Sequence, residues 1–170
     1  VRGLMVRPEH IMLDIQHIDF QKLAFKREQA LKEGVLHVTD EDYVPGQIRW
    51  RGKTIPVDVR LKGDLADHWY DSTKWSFRIK TKGDRTVLGM KKFSLQHPRT
   101  RGFLNDWYLY RLLEYFGDFI VLRYDFVSFT LNGKELGTYL IEEHFEEMLL
   151  RNNNRVNAPI VRIYDHLLWY

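Results

Sequence analysis

Two lysines in the middle of the chain have the type and spacing needed to bind a phosphate group. Trp75, Phe77 and Ile79 alternate with polar residues, which predicts a strand with one apolar and one polar face. Lys80 belongs to the polar face, and Lys74 is in phase with it. An ammonium group forms charge-assisted hydrogen bonds with phosphate oxygens. A solvated strand surface also carries lysines, so the residue types alone leave both interpretations open.

The charge distribution points to the same part of the chain. Residues 49–101 contain 14 Lys or Arg against 5 Asp or Glu, whereas the whole chain has a formal net charge of only +3. Such a surplus predicts a face that meets phosphate or another polyanion. The alternative is a lysine-rich, solvated sheet surface, which charge alone favours. Aromatic residues are interleaved with the basic ones, but no recognised nucleic-acid motif accompanies them, so we do not expect nucleic acid as the partner.

Several other chemistries are excluded by missing motifs. The chain has no Walker phosphate loop, no Gly-x-Ser-x-Gly elbow, no His-Glu-x-x-His and no dinucleotide glycine fingerprint. Its seven histidines include no i,i+4 pair. Asp64 and Asp67 lie in a polar loop, where carboxylates usually form turns, so we expect no metal site there. The lack of cysteine excludes disulfides, thiolate zinc sites and a cysteine nucleophile, and leaves the compartment open.

Size and composition indicate one folded domain. The chain has 170 residues, of which 44% are hydrophobic and 14% aromatic, enough to bury a core. No stretch approaches the roughly 18 consecutive apolar residues of a membrane span. The first residue is Val1, so we expect a processed chain or a segment of a longer protein.

Hydrophobic spacing predicts a mixed set of elements of the α+β class. A strand and a helix open the chain, and period-two segments then predict an antiparallel sheet. Helical spacing returns over Asn105–Phe116, and Asn132-Gly133 is the strongest hairpin signal. The predicted elements are strands at 11–15, 47–50, 55–61, 75–80, 88–95, 120–130 and 137–141, with helices at 18–32, 105–116 and 142–150.

The order of these elements resembles the small, nucleotide-binding lobe of protein kinases. In that layout an antiparallel sheet, here residues 47–142, is packed by one helix, here Asn105–Phe116. Lys80, or Lys74 in its place, corresponds to the phosphate-binding lysine, and Glu114 to the helix carboxylate that orients it. Glu142 precedes the expected hinge. A solvated strand lysine and a solvated helix glutamate are the competing interpretations.

Three segments together resemble the CotH family of spore-coat-type atypical kinases. They occur in the family's order and with similar spacing, within residues 44–150. Each motif is weak by itself, but their conjunction is fairly specific. The segments are VRLKG (59–63) followed by KWSFRIK (74–80), then LGMKKFSL (88–95), then NGKELGTYLIE (132–142).

The CotH resemblance implies phosphoryl transfer from ATP, with Mg²⁺, to protein hydroxyls. By position, Lys62 begins the loop that resembles the phosphate-facing loop, Lys74 and Lys80 are candidate phosphate lysines, and Glu142 is the hinge-adjacent acid. The catalytic and metal-binding carboxylates of such kinases follow the hinge by a whole lobe. Here Asp165 is the only carboxylate after residue 147. The resemblance therefore implies an amino-terminal portion that is inactive alone, with its catalytic carboxylates outside this segment.

The predicted organisation has three parts. Residues 1–43 form an opening strand and helix, 44–150 a CotH-like nucleotide-binding lobe, and 151–170 the start of a second lobe. The resemblance implies a cell-envelope or secreted location, with a nucleotide and a protein substrate as partners. The alternative function is a non-catalytic envelope module that binds protein or glycan on the same scaffold, which the aromatic content allows.

Overall fold

Seven strands form a closed barrel in the computed structural model, which describes residues 7–155 and 159–161. Around the barrel the strand order is β1-β2-β3-β4-β5-β7-β6. All neighbouring strands are antiparallel except β1 and β6, which are parallel. The strands are β1 (Glu9–Ile15), β2 (Val44–Trp50), β3 (Lys53–Leu61), β4 (Phe77–Thr81), β5 (Lys92–Gln96), β6 (Tyr124–Leu131) and β7 (Lys134–Glu143).

The described residues include three α-helices: α1 (His17–Glu33), α2 (Asn105–Phe116) and α3 (Glu147–Asn152). α1 follows β1 directly and ends at Gly34, which has a φ of +79° and can take this left-handed conformation without steric cost. It buries Leu23 and Ala30. α2 ends at Gly117 in the same way.

Alternating apolar residues from every strand fill the barrel interior. Because successive side chains of a strand point to opposite faces, one apolar set per strand suffices to build this core. Phe77 and Phe129 contact each other across the interior, and Phe129 contacts Tyr139. Fully buried members of the core include Ile11, Leu13, Ile48, Val57, Val59, Phe77, Ile79, Phe93, Leu95, Phe129 and Tyr139.

The prediction of an antiparallel sheet packed by a helix, as in a kinase small lobe, is wrong. The prediction places the first strand outside the sheet, whereas in the structure β1 pairs with both β2 and β6 and closes the barrel. A closed barrel fills its apolar face with its own side chains, so that face needs no covering helix. Consistent with this, α2 has no buried residue.

The predicted helix at 142–150 is also partly wrong, because β7 continues to Glu143 and α3 begins only at Glu147. In contrast, the β6–β7 hairpin is confirmed. It turns at Asn132 and Gly133, whose φ angles are both positive. Asp165 and most of the predicted third part of the chain lie outside the described residues.

Candidate functional site

A buried ion pair joins the end of β3 to the end of β7. Lys62 follows β3 directly, and its Nζ lies 2.7 Å from Oε2 of Glu142. The same ammonium donates to Oε1 of Gln96 at 2.7 Å, and Nε2 of Gln96 donates to Glu142 at 2.8 Å. All three residues are buried. Lys62, Gln96, Glu142 and Arg101, described below, are called the Lys62 cluster.

Strand register explains why this cluster forms on the outer face of the barrel. Arg60 pairs with Arg78, Arg78 with Ser94, and Ser94 with Glu142. Directly paired residues point to the same face, and here that face is opposite the apolar core positions. Lys62 and Gln96 lie two residues beyond Arg60 and Ser94, so they belong to the same face. Residues 80 positions apart in sequence therefore meet because the barrel aligns their strands.

A turn after β5 supplies the second cation of the cluster. Nη2 of Arg101, from the 3₁₀ turn Pro98–Arg101, lies 3.1 Å from Oε1 of Glu142. Nε of Arg101 lies 3.8 Å from Asp106, near the start of α2. On the neighbouring strand, Tyr124 pairs with Glu142, and its ring contacts Tyr110 of α2 at 4.9 Å. The turn and α2 thus line one side of the cluster.

The loop between β3 and β4 lines the other side and holds Lys62 in position. Gly63 has a φ of +92°, and a Cβ built there would lie 2.0 Å from the ring of His68. His68 Nδ1 lies 3.0 Å from the hydroxyl of Ser76. The backbone N–H of Lys62 donates to the carbonyl of Ser76 at 2.9 Å, and that of Ser76 to the carbonyl of His68 at 2.8 Å. Only glycine fits at position 63 without moving His68.

Burial and neighbouring charges shift the pKa values of the cluster. Burial lowers the pKa of Lys62 to about 8, although Glu142 opposes this shift. Burial also favours the protonated form of Glu142, but Lys62 and Arg101 outweigh it and hold the pKa of this carboxyl below its usual value. Burial and the charge of Lys62 lower the pKa of His68 to about 4. At pH 7 His68 is therefore neutral, while Lys62 is mostly protonated.

The cluster continues into a basic strip on β4 and β5. Arg78 lies beside the cluster in the same register row and contacts His144. Lys80 and Lys92 pair in the next row, and burial followed by the charges of Lys80 and Arg78 lowers the pKa of Lys92. Cations thus follow one another along this face.

The structure brings together two of the five residues singled out from the sequence. Lys62 and Glu142 form the ion pair, but Glu114 pairs with Arg111 of its own helix at 2.6 Å. Lys80 lies 3.3 Å from Asp40 and 4.1 Å from the ring centre of Tyr43. Lys74 lies 5.7 Å from the ring centre of Tyr139 and 3.4 Å from the carbonyl of Thr138.

Sequence reasoning missed Gln96 and Arg101 as members of the Lys62 cluster, and Arg78 as its neighbour. The alternation Phe93-Ser94-Leu95-Gln96 indicates that Gln96 lies on the strand face opposite the core, so this pattern could have predicted its position. Arg78 shares a strand face with Lys80, so the same signal applied to it. Arg101 comes from a turn, and no periodicity marks its position.

No family model matches the chain, and a search of curated proteins found no match. The CotH resemblance therefore rests on the three motifs alone. None of the helices in the described part of the chain is long and apolar enough to cross a membrane. Within residues 7–155 and 159–161, no three or more carboxylate or imidazole side chains are grouped so as to hold a metal ion.

A groove beside α1 lies away from the Lys62 cluster. It has a volume of about 590 Å³ and is bordered by α1 and by residues 41–45 at the start of β2. Its walls include Phe25, Val38 and Leu61, but none of the four cluster residues. The groove has room for a ligand, but the buried charges lie at the Lys62 cluster. Because perturbed charged groups concentrate at functional sites, we take the Lys62 cluster as the candidate site.

Proposed function

We propose that this chain binds the phosphate groups of ATP at the Lys62 cluster, as part of a CotH-like kinase that phosphorylates protein hydroxyls. The observation that carries this proposal is the excess of cations over anions around one buried carboxylate. Lys62, Arg78 and Arg101 all act electrostatically on this site, and Glu142 is the acid that lies within contact distance of both Lys62 and Arg101. A cationic, partly buried face favours a polyanionic ligand.

Each residue has a distinct task in this proposal. Glu142 holds the Lys62 ammonium in one position by a 2.7 Å contact, and Gln96 fixes both groups. An ammonium that is already oriented loses less entropy when it binds a phosphate oxygen. The side chain of Arg101 is 37% exposed, and a guanidinium group can bind phosphate in a bidentate manner.

Two buried polar atoms beside Glu142 also fit a ligand. Nε of Arg101 and the hydroxyl of Tyr124 are buried and have no hydrogen-bond partner among the described residues. Buried donors are normally satisfied, and each such exception needs an explanation. A phosphate oxygen accepts hydrogen bonds and suits both donors.

The Mg²⁺ that the CotH resemblance implies does not fit the described residues. Glu142 is the carboxylate of the cluster, and Lys62, Gln96 and Arg101 already occupy its two oxygens. Mg²⁺ prefers carboxylate and water oxygens in an octahedral arrangement. Catalytic carboxylates would therefore come from outside this segment, so we expect the 170-residue chain to bind ATP without transferring phosphate.

Isothermal titration calorimetry of the 170-residue chain with ATP tests this proposal, with Lys62→Met as the variant. A charge-assisted hydrogen bond contributes about 1.5–3 kcal/mol, so ATP should bind at least about ten-fold more weakly to the variant. Lys91→Met is the matched control, because Lys91 pairs with the fully exposed Asp84. It should bind ATP like the unmodified chain.

Equal ATP affinity in Lys62→Met and in the unmodified chain would contradict the proposed site. No measurable ATP binding by the folded, unmodified chain would remove the kinase proposal. It would favour the alternative, a non-catalytic module that binds protein or glycan.

A further inference from the structure

One side of α2 exposes a continuous apolar stripe. At 3.6 residues per turn, the exposed apolar residues of this helix fall within an arc of about 140°. The opposite side, with Tyr110 and Leu113, is partly buried against the barrel. The residues of the stripe are Leu104, Tyr108, Leu109, Leu112, Tyr115 and Phe116.

One more exposed residue lies directly before this stripe. Phe103 precedes Leu104 in the chain and is 57% exposed. The seven residues together are called the α2 face. The side chains of the α2 face are large and largely apolar, yet they are exposed to water. Such a group of neighbouring exposed apolar side chains is unusual on the surface of a globular protein.

The area of the α2 face is close to one side of a stable protein interface. Seven large apolar residues, each about half exposed or more, present on the order of 700 Å² if each covers about 200 Å² when fully exposed. The largest apolar patch of a typical monomer is about 300–600 Å². A standard interface buries about 800 Å² on each partner.

We infer that the α2 face is a homodimer interface, in which it packs against the α2 face of a second copy of this chain. In a two-fold dimer the same patch meets itself, and an apolar helical stripe is complementary to an identical stripe. The inference goes beyond the proposed nucleotide site, and neither depends on the other.

Charge on and beside α2 argues against an anionic membrane as the partner. Residues 103–120 contain three acidic residues, Asp106, Glu114 and Asp118, but one basic residue, Arg111. Surfaces that bind anionic lipids carry clusters of Lys or Arg. An apolar surface with a weakly acidic border fits a copy of itself in which the apolar residues are buried and the charges stay at the rim.

Sedimentation velocity of the full 170-residue chain at micromolar concentration tests the dimer. The expected mass is twice 20.5 kDa. Leu112→Glu places a charge at the centre of the stripe, and it should weaken dimerisation at least ten-fold and yield the monomer. Phe25→Glu is the matched control, because Phe25 of α1 is also exposed (62%) but lies outside the α2 face. This control should remain a dimer.

A second variant keeps the test valid if Leu112→Glu fails to fold, as judged by circular dichroism. Tyr115 is 85% exposed, so Tyr115→Glu removes almost no contact within the chain and should also give the monomer. A monomeric unmodified chain would overturn the inference, whether or not it binds vesicles of neutral or anionic lipid. A dimer that persists in both folded variants would overturn it as well.

Discussion

Replacing Glu142 by glutamine should destabilise the barrel more than replacing its partner Lys62 by methionine. Glu142 accepts hydrogen bonds from Lys62, Gln96 and Arg101. Without its charge, two cations remain in a largely buried cluster, and among the described residues the only anion near them is Asp106, 3.8 Å from Arg101. Breaking a buried ion pair on one side costs about 3–5 kcal/mol. The side chain of Arg101 is 37% exposed, which favours the lower end, about 3 kcal/mol.

Lys62→Met leaves a better-satisfied cluster. Glu142 keeps its hydrogen bonds with Gln96 and Arg101, and the methionine stem replaces the buried carbon chain of the lysine. We therefore expect a loss of about 1.5–2 kcal/mol, at the lower end of the range for a hydrogen bond to a charged group. The double variant Lys62→Met with Glu142→Gln should lose less than the sum of the single losses, because the two residues interact directly.

Urea unfolding at pH 7 measures these differences in the free energy of unfolding. The slope against urea should stay constant, so that the midpoint reports stability. Lys91→Met with Asp84→Asn forms the control, an exposed pair whose loss should leave the midpoint unchanged. The reasoning is refuted if Glu142→Gln unfolds at the same midpoint as this control, or if Lys62→Met is the more damaging variant.

Three further predictions follow from the pKa values and the loop geometry. The unfolded chain keeps the Lys62 proton up to the usual pKa of 10.5, whereas the folded chain keeps it only up to about 8. The free energy of unfolding should therefore rise between pH 8 and 10.5 in the unmodified chain and not in Lys62→Met. A difference in this free energy between the two proteins that stays constant over that range would contradict the prediction. The pKa of His68 falls from 6.5 to about 4, so stability should decline as the pH falls from 6.5 to 4, and His68→Gln should remove that slope in thermal unfolding. Gly63→Ala should cost about 2 kcal/mol more than Gly83→Ala in urea unfolding, since both have positive φ but only Gly63 lies against a side chain; equal costs would show that His68 moves aside freely.

Local patterns predicted the elements that local chemistry determines. The bounds of α2 were predicted as observed, because helical spacing and Gly117 mark them. The turn at Asn132 and Gly133 was predicted because few residue pairs adopt two successive positive φ angles. In both cases the signal lies within a few residues.

Long-range pairing was not predictable in the same way. Closure of the barrel depends on the parallel pairing of β1 with β6, which are more than 100 residues apart, and neither strand marks its partner. The partners of Lys80 and Lys74 also come from register and loops, since Asp40 and Tyr139 lie on other parts of the chain. The Arg111–Glu114 pair was predictable, because an i,i+3 spacing on a helix brings opposite charges together. It indicates that Glu114 has a partner on its own helix that is closer than Lys80 or Lys74.

An NMR titration of the Lys62 ammonium, with and without saturating ATP, tests the central claim most directly. Lys62→Met assigns the signal. Without nucleotide the pKa should be about 8, because burial disfavours the charged form. With ATP bound, the phosphate charge should raise it, since an adjacent anion favours the ammonium. A pKa near 10.5 in the ATP-free chain, or a value unchanged by ATP, would contradict the proposal that Lys62 binds phosphate.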